Sequence, residues 1–272
     1  MKILCIGDIV GKPGRLALNA LLEKLIEQHQ IDFVIANGEN TAGGSGITAR
    51  LAKYLFRCGC DVITLGDHVW DQKEIEVHLD QIPALLRPAN LPPNNPGNGW
   101  CIVAAKNGTK VAVINLLGRV FMRYHVPCPF YKLDEILEKI KDQADIIIVD
   151  FHAETTSEKV ALGHYADGRV SAVVGTHTHI QTADHHVLAK GTAYITDLGM
   201  TGPHDSVIGQ NKKNIIERFK TCHPVRFCVA QEDINISGAL IQVDESTGKA
   251  DNIELFKQHY MPDRSEKEAA HE

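Results

Sequence analysis

The first 66 residues alternate between short apolar runs and longer amphipathic segments. The apolar runs at 2–7, 32–37 and 61–66 predict buried strands, whereas residues 13–30 and 47–59 show the spacing of helices. Strands that alternate with helices are typical of a parallel sheet with helical crossovers. Because the carboxyl ends of parallel strands lie at one edge, we expect the loops after these strands to gather there.

The middle of the chain resumes this alternation after an irregular loop at 83–99, which is rich in Pro, Asn and Gly. Residues 100–116 predict a hairpin with a two-residue turn at Asn107–Gly108, a dipeptide that accepts positive φ. Four segments then follow in the order helix, strand, helix, strand, at 133–143, 144–150, 157–168 and 171–175.

Beyond residue 185 the pattern changes to hairpins, at 185–199 and 225–256. They predict either a second, antiparallel sheet or an extension of the first. The last residues, 261–272, are charged and lack periodicity, so we expect a frayed tail. Residues 1–260 therefore predict a single α/β domain built in layers, one version of which packs two sheets face to face.

The composition is that of an ordinary soluble globular protein, with 272 residues, 44% hydrophobic and 23% charged side chains, and a net charge of -6. No cluster of Lys and Arg is present to follow a phosphate backbone, so we expect no long nucleic acid as partner. The apolar N-terminal run is broken by Asp8 and is too short for a signal peptide or a membrane span. We therefore expect a cytoplasmic protein without a membrane partner, and a homo-oligomer stays open.

The seven cysteines include no CxxC pair, so neither a disulfide framework nor a thiolate zinc site is indicated.

Side chains that can bind a metal follow five of the predicted strands. Each has an ordinary explanation when taken alone, as a helix cap, a turn residue or a solvated histidine, but together these explanations are improbable. Carboxylate, amide and imidazole groups suit Mn²⁺, Fe or Zn²⁺. Seven such groups exceed one tetrahedral site and predict two ions that share a bridging carboxylate. The seven residues are Asp8, Glu39, Asn40, Asp67, His152, His177 and His179.

His177 and His179 follow the apolar run at 171–175 and lie two positions apart. In an extended chain alternate side chains point to the same face, so both rings could converge on one point beyond the strand, where a metal ion could lie. The alternative is a pair of solvated loop histidines.

Two further motifs are weaker. The stretch GDIVGKPG is similar to a dinucleotide-binding loop, but its glycines do not match the GxGxxG spacing. The stretch HTHIQTADHH is similar to the HxHxDH motif of metallo-β-lactamases, except that Asp184 lies five positions after His179. We expect His185 and His186, at the start of a hairpin strand, to be solvated or to have supporting roles.

Taken in order, the motifs GD, NGEN, GDHVWD, FHAE and GTHTH resemble those of the calcineurin-like metallophosphoesterases. Stretches such as GDIVGKPGR, LLRPAN and SAVVGTHTHIQTAD are similar to a bacterial branch of that superfamily, the YmdB-like 2′,3′-cyclic-nucleotide 2′-phosphodiesterases. The resemblance covers nearly the whole chain except the tail. It implies a four-layer α/β/β/α sandwich of two mixed sheets flanked by helices.

The resemblance also implies a role for each candidate residue. His68 is similar to the catalytic histidine of the family, which does not bind metal. The ions implied are iron, or else manganese or zinc. One metal would be held by Asp8, Glu39, Asn40 and His179, and the other by Glu39, Asp67, His152 and His177, with Glu39 as the bridge.

The chain departs from the usual pattern of the superfamily at two positions. The histidine usual after the first aspartate is absent, since Ile9 and Val10 follow Asp8, and Asn40 takes its place. Asp67 stands where Asn is usual. The additional negative charge should favour a more highly charged ion pair and make bound water less acidic.

The reaction we expect is hydrolysis of the cyclic phosphate of a 2′,3′-cyclic nucleotide to a 3′-nucleotide. A metal-bridging hydroxide would attack in line, and His68 would protonate the leaving oxygen as general acid. Arg119 and Arg169 could contact phosphate, although a solvated surface position is the simpler expectation.

Two alternatives stay open. The same site could serve a phosphomonoesterase or a nuclease of RNA ends, with substrate choice residing in loops such as 88–99. The chain could instead be a regulatory protein that senses a nucleotide or a metal.

Overall fold

The computed structural model describes residues 1–261, and its strands form one eight-stranded and one six-stranded sheet. The strands are β1 (Lys2–Ile6), β2 (Asp8–Ile9), β3 (Phe33–Asn37), β4 (Val62–Thr64), β5 (Leu85–Leu86), β6 (Trp100–Ala104), β7 (Lys110–Leu117), β8 (Ile146–His152), β9 (Ala172–Thr176), β10 (His186–Val187), β11 (Ala193–Ile195), β12 (Met200–Pro203), β13 (Ile234–Asp244) and β14 (Lys249–Tyr260). The helices are α1 (Gly11–His29), α2 (Ala49–Arg57), α3 (Pro129–Ile140), α4 (Thr156–Ala166) and α5 (Lys212–Thr221), with 3₁₀ turns at Lys73–Val77 and Leu79–Gln81.

The first sheet has the strand order β2-β12-β13-β1-β3-β4-β5, with β14 added to β13. Strands β1, β3 and β4 run parallel, as the alternation of the first 66 residues predicted. Strand β13 lies antiparallel to β1 and pairs with β14 as a long hairpin. The hairpin predicted at 225–256 therefore extends the first sheet, and it begins only at Ile234.

The second sheet has the strand order β10-β11-β9-β8-β7-β6. Its central strands β7, β8 and β9 are parallel, and the hairpins β6–β7 and β10–β11 provide the two edges. Both sheets are therefore mixed.

The turn between β6 and β7 differs from the two-residue turn that the sequence predicted. The Ala105 N–H donates to the carbonyl of Thr109 at 2.8 Å, and the Gly108 N–H donates to the carbonyl of Ala105 at 2.9 Å. Gly108 has φ 93°, whereas Asn107 keeps a negative φ. The connection therefore has three residues, in which one glycine with positive φ restores the register after an ordinary turn.

The two sheets pack face to face. Ile3, Phe33 and Ile35 of the first sheet contact a cluster that includes Val113 and Ile148 of the second, and all five are buried. Burial on both faces explains why these strands are nearly continuous apolar runs.

Helices cover the two outer faces. Leu22 of α1 and Leu55 of α2 are buried against the first sheet. Ile136 of α3 and Leu162 of α4 are buried against the second. The order of layers is α/β/β/α, which confirms the sandwich implied by the resemblance.

Helix α5 lies apart from the core of these layers, and the sequence pattern did not predict it. Ile215 is its only buried residue, whereas Ile216 and Phe219 are exposed. Asn211 caps the helix by accepting hydrogen bonds from the N–H groups of Lys213 and Asn214. With so little apolar surface facing the core, the segment lacks the stripe by which helices are recognised.

Residues 262–272, nearly all of the expected tail, lie outside the described residues. The assignment of residues 1–260 to one domain stays a prediction. Within residues 1–261 the structure contains no helix that is both long enough and apolar enough to cross a membrane.

Candidate metal centre

The candidate residues lie where the two sheets meet, beyond the carboxyl ends of their strands. The first sheet supplies Asp8 from β2, Glu39 and Asn40 after β3, and Asp67 and His68 after β4. The second sheet supplies His152, at the end of β8, and His177 and His179 after β9. The sequence argument placed all of these ends along one parallel sheet. The structure instead divides them between two sheets, since strands of both are equally apolar.

Four of the candidates form a compact cluster. One ligand atom from each of Glu39, Asp67, His152 and His177 lies within 4.8 Å of the other three. The Nε2 of His152 is 3.2 Å from Glu39 Oε2 and 3.3 Å from Asp67 Oδ1. The Nδ1 of His177 is 3.0 Å from His152 Nε2 and 3.5 Å from Asp67 Oδ1. Two carboxylates and two imidazoles thus face a common point, and this cluster could hold a metal ion.

The outer nitrogens of the two imidazoles have partners of their own. The Thr176 hydroxyl donates to Asp150 Oδ1 at 2.7 Å, so its oxygen accepts from His152 Nδ1 at 2.9 Å. Glu154 Oε2 lies 3.0 Å from the Nε2 of His177, which favours a proton on that nitrogen. Both arrangements keep a proton on the outer nitrogen, so the inward nitrogen is the one that can become a metal ligand.

The carboxylate oxygens of the cluster also fit a cation. Glu39 Oε2 and Asp67 Oδ1 are buried and accept no hydrogen bond from the described residues. Buried oxygens without a donor are costly unless a positive charge compensates them.

Without a cation, a proton on His152 supplies part of the positive charge that compensates these oxygens. Burial acts to lower the pKa of His152, but the carboxylates of Glu39 and Asp67 raise it well above the ordinary value. Burial and the neighbouring His152 lower the pKa of His177 to about 3. Burial raises the pKa of Glu39. His152 is therefore the charged member of the pair, with His177 neutral beside it.

Asp8, Asn40 and His179 form a second group. His179 Nε2 lies 3.7 Å from Asp8 Oδ1 and 3.2 Å from Asn40 Nδ2, and the same amide nitrogen lies 3.4 Å from Asp8 Oδ1. The His179 Nδ1 donates to the carbonyl of Ile208 at 3.0 Å, which leaves its Nε2 as an acceptor. The Asn40 amide directs its nitrogen toward Asp8 and His179. The amide must therefore rotate before its oxygen can bind a metal between these residues.

His68 lies beside the cluster, with about a third of its side chain exposed. Its Nδ1 donates to Asn40 Oδ1 at 3.2 Å and lies 3.5 Å from Glu39 Oε1. The opposite nitrogen, Nε2, is therefore the atom that a ligand can reach.

The backbone at His177 and His179 does not follow the extended conformation that we expected. Strand β9 ends at Thr176. The backbone of the two histidines has φ 101° and 65°, values that residues other than glycine rarely adopt. His177 joins the four-residue cluster, and His179 lies beside Asp8. The two rings therefore belong to different groups, because the turn breaks the strand alternation on which convergence depended.

Gly66 packs against the cluster from the side of β4. A Cβ at this position would overlap Glu39 Oε2 and the ring of His152. Only a glycine leaves room for the two side chains.

The remaining sequence candidates lie elsewhere. Arg169 precedes β9, at the opposite edge of the second sheet, and pairs with Asp134. Arg119 follows β7 and lines an open cavity of about 320 Å³ together with His125 and Glu158. Asp184 accepts a hydrogen bond from the Thr196 N–H at 3.2 Å. His186 packs against Tyr194.

Three residues around the cluster were not predicted from the sequence. Asp150 and Thr176 are buried polar residues inside the apolar strands β8 and β9, and such a position is itself a signal of a polar network. Asp150 also lies two positions before His152, on the same face of β8. Glu154 lies in the FHAE motif but follows the strand, and nothing in its spacing distinguished it from a surface carboxylate.

Comparison with known proteins places the chain in a family. The family described as YmdB-like protein matches residues 4–256. The 2′,3′-cyclic-nucleotide 2′-phosphodiesterase of Bacillus subtilis (strain 168) is 51% identical over 254 residues, which cover 93% of this chain and 96% of that protein.

Two solved structures are also similar. A protein described as a novel phosphatase, from Mycoplasma pneumoniae, has a TM-score of 0.89 at 37% identity and covers 95% of this chain and 93% of its own. A hypothetical protein from Thermus thermophilus has a TM-score of 0.88 at 39% identity, with coverage of 95% and 99%. On the strength of the match across residues 4–256 and of these relatives, the chain belongs to the YmdB-like family.

Proposed function

We propose that the chain is a metal-dependent phosphodiesterase that hydrolyses 2′,3′-cyclic nucleotides to 3′-nucleotides. The observation that carries the proposal is the buried cluster of Glu39, Asp67, His152 and His177, whose unpaired oxygens fit a cation. The name of the Bacillus subtilis relative, 51% identical over nearly the same length, supports a phosphodiester substrate.

We place one metal ion at this cluster and a second at Asp8, Asn40 and His179, with Glu39 as the residue between them. The second position depends on rotation of the Asn40 amide, which would present Oδ1 to the ion. The donor set contains nitrogen and oxygen but no sulfur, which suits iron, manganese or zinc. Metal ions at these positions supply positive charge to the phosphoryl oxygens and make a bound water more acidic.

The side chain that handles the proton is His68. Its Nδ1 lies 3.5 Å from Glu39 Oε1, so this side of the ring faces the cluster and Nε2 faces outward. From that position Nε2 would donate a proton to the departing 2′-oxygen. Such general acid catalysis typically contributes about 10²- to 10⁴-fold to the rate.

The first test compares three substrates with chelator-treated protein reconstituted with Mn²⁺, Fe²⁺ or Zn²⁺. We expect turnover of 2′,3′-cyclic AMP and bis-p-nitrophenyl phosphate, and much slower turnover of p-nitrophenyl phosphate. Faster turnover of the monoester would instead favour a phosphomonoesterase. No turnover of any of the three with any metal would overturn the enzyme assignment.

The second test concerns His68. We expect His68→Ala to lower kcat for 2′,3′-cyclic AMP by about 10²-fold or more while the metal content is unchanged. A substrate with a good leaving group, bis-p-nitrophenyl phosphate, should be affected less because its departure needs little help from an acid. Equal losses on both substrates would contradict the role of proton donor.

A further inference from the structure

Two buried carboxylates bond the backbone of the turn that carries His177 and His179: Asp8 accepts from the His177 N–H at 3.0 Å, and Asp197 holds the residue between the two histidines. Asp197 follows β11 and is fully buried. Its Oδ2 accepts hydrogen bonds from the Thr178 N–H at 3.1 Å and the Thr178 hydroxyl at 2.7 Å. The residue between the two histidines is therefore fixed by both its backbone and its side chain.

The second oxygen of Asp197 connects to another candidate ligand. Oδ1 accepts from the Gly199 N–H at 2.8 Å, and the Gly199 carbonyl accepts from the Asp8 N–H at 3.0 Å. One carboxylate thus joins the segments that present Asp8, His177 and His179.

The charge of Asp197 is balanced by Lys159 of α4. The Lys159 Nζ lies 2.7 Å from Asp197 Oδ2, and only 1% of the lysine side chain is exposed. With Lys159, Thr178 and Gly199 the carboxylate receives four hydrogen bonds, about the number that its two oxygens can accept. The four donors therefore occupy the carboxylate fully, and Lys159 lies within ion-pair distance of it.

Stability alone does not account for this ion pair. A buried ion pair is generally no more stabilising than apolar side chains of the same size. The turn that this ion pair contacts, in contrast, has an unfavourable backbone conformation, since His177 and His179 both have positive φ. Such backbone strain persists where the surrounding contacts determine the conformation, and it is common at functional sites.

We propose that Lys159 and Asp197 are positioning residues, which hold the Thr178 turn so that His177 and His179 keep their metal-binding orientation. This inference rests on the proposed function in so far as the two histidines bind metal. Neither Lys159 nor Asp197 belongs to the four-residue cluster.

The test uses two matched hydroxyl deletions in the same loop. Thr178→Val removes a hydroxyl that donates to the Asp197 carboxylate, whereas Thr182→Val removes one that bonds the backbone of Asp197 and the Asp184 side chain but not the Asp197 carboxylate. Thr178→Ser keeps the hydroxyl and serves as the conservative rescue. The measurement is the equilibrium binding of Mn²⁺ to each metal-free protein, followed by the electron paramagnetic resonance signal of the free ion.

We expect Thr178→Val to raise the Kd for Mn²⁺ by about 10- to 100-fold, the usual loss when a residue that orients a ligand is removed. Thr178→Ser should restore the wild-type Kd, and Thr182→Val should leave it within about twofold. Lys159→Met, which leaves Asp197 buried without a counter-charge, should also raise the Kd. Its far-UV circular dichroism will show whether it is folded, and the Thr178 variants decide the question if it is not.

Wild-type Kd values in Thr178→Val would overturn the positioning role and leave the proposed function intact. Equal losses in Thr178→Val and Thr182→Val would also overturn it, because a general loosening of the loop would then be the cause. If the wild-type protein binds no Mn²⁺, Fe²⁺ or Zn²⁺, both the function and this inference fail.

Discussion

Gly66 shows how little room the metal centre leaves, since a methyl group there would overlap Glu39 Oε2 and the His152 ring. We expect Gly66→Ala to abolish metal binding at the four-residue cluster and to lower phosphodiesterase activity by at least about 100-fold. Metal content after dialysis against Mn²⁺ measures the first effect directly.

Gly108→Ala is the matched control, because a Cβ at that turn meets no atom within 4 Å. Its positive φ makes the substitution unfavourable for folding, but the metal centre should be untouched. Full metal content in Gly66→Ala would show that the cluster can shift to admit a methyl group.

Asp67 is one of the carboxylates that raise the pKa of His152 in the metal-free cluster. Together with Glu39 it raises the pKa of His152, so Asp67→Asn should lower that pKa. Histidine nitrogen NMR of the metal-free protein across a pH series measures the change. In the wild type His152 should stay charged above pH 6.5, the ordinary value, whereas His177 should be neutral at the same pH.

Asp145→Asn, at the amino end of β8 and far from the cluster, should leave the pKa of His152 where it is. An unchanged pKa of His152 in Asp67→Asn would mean that Glu39 and Asp8 hold the proton without it.

The helices differ in what they contribute to folding. Leu22 of α1 is fully buried against the first sheet, and Leu22→Ala should cost about 2–5 kcal/mol of unfolding free energy. Phe219 of α5 is 78% exposed, and Phe219→Ala should change that free energy by no more than about 0.5 kcal/mol. Urea denaturation of both variants gives the comparison, and a large loss in Phe219→Ala would show that α5 is part of the core.

The same difference explains which elements could be predicted from the sequence. Helix α1 and strands β1 and β3 bury many side chains, so burial imposes a regular pattern on their residues. Helix α5 buries only Ile215, and its sequence is accordingly free of such a pattern. The turn at His177 and His179 could not be predicted either, because the carboxylates that bond its backbone, Asp8 and Asp197, are distant in sequence.

In the whole molecule, the candidate ligands were easier to predict than the way they come together. Their residue types and their position after strands are visible in the sequence, and Glu39, Asp67, His152 and His177 do cluster. The division between two sheets is not visible, since parallel strands of either sheet leave the same apolar signature. The partners Thr176 and Glu154 depend on that arrangement and could not be derived from spacing alone.

A metal held by residues of both sheets should stabilise the whole fold. At a free metal concentration about 100 times the Kd, binding adds about 2.7 kcal/mol, which corresponds to a rise in Tm of about 5 to 10 °C for a chain of this size. Differential scanning calorimetry with and without chelator measures the rise. His152→Ala should lose most of it, and an undiminished rise in that variant would place the metal elsewhere.

The central strand of the first sheet, β1, has one neighbour that is encoded early, β3, and one that is encoded late, β13 at Ile234–Asp244. During translation, one hydrogen-bonding edge of β1 therefore stays unpaired until β13 has left the ribosome. The short strand β2, which begins with Asp8, likewise pairs with β12 at Met200–Pro203. The segment that presents Asp8 can thus take its final position only after residue 203 has been synthesised.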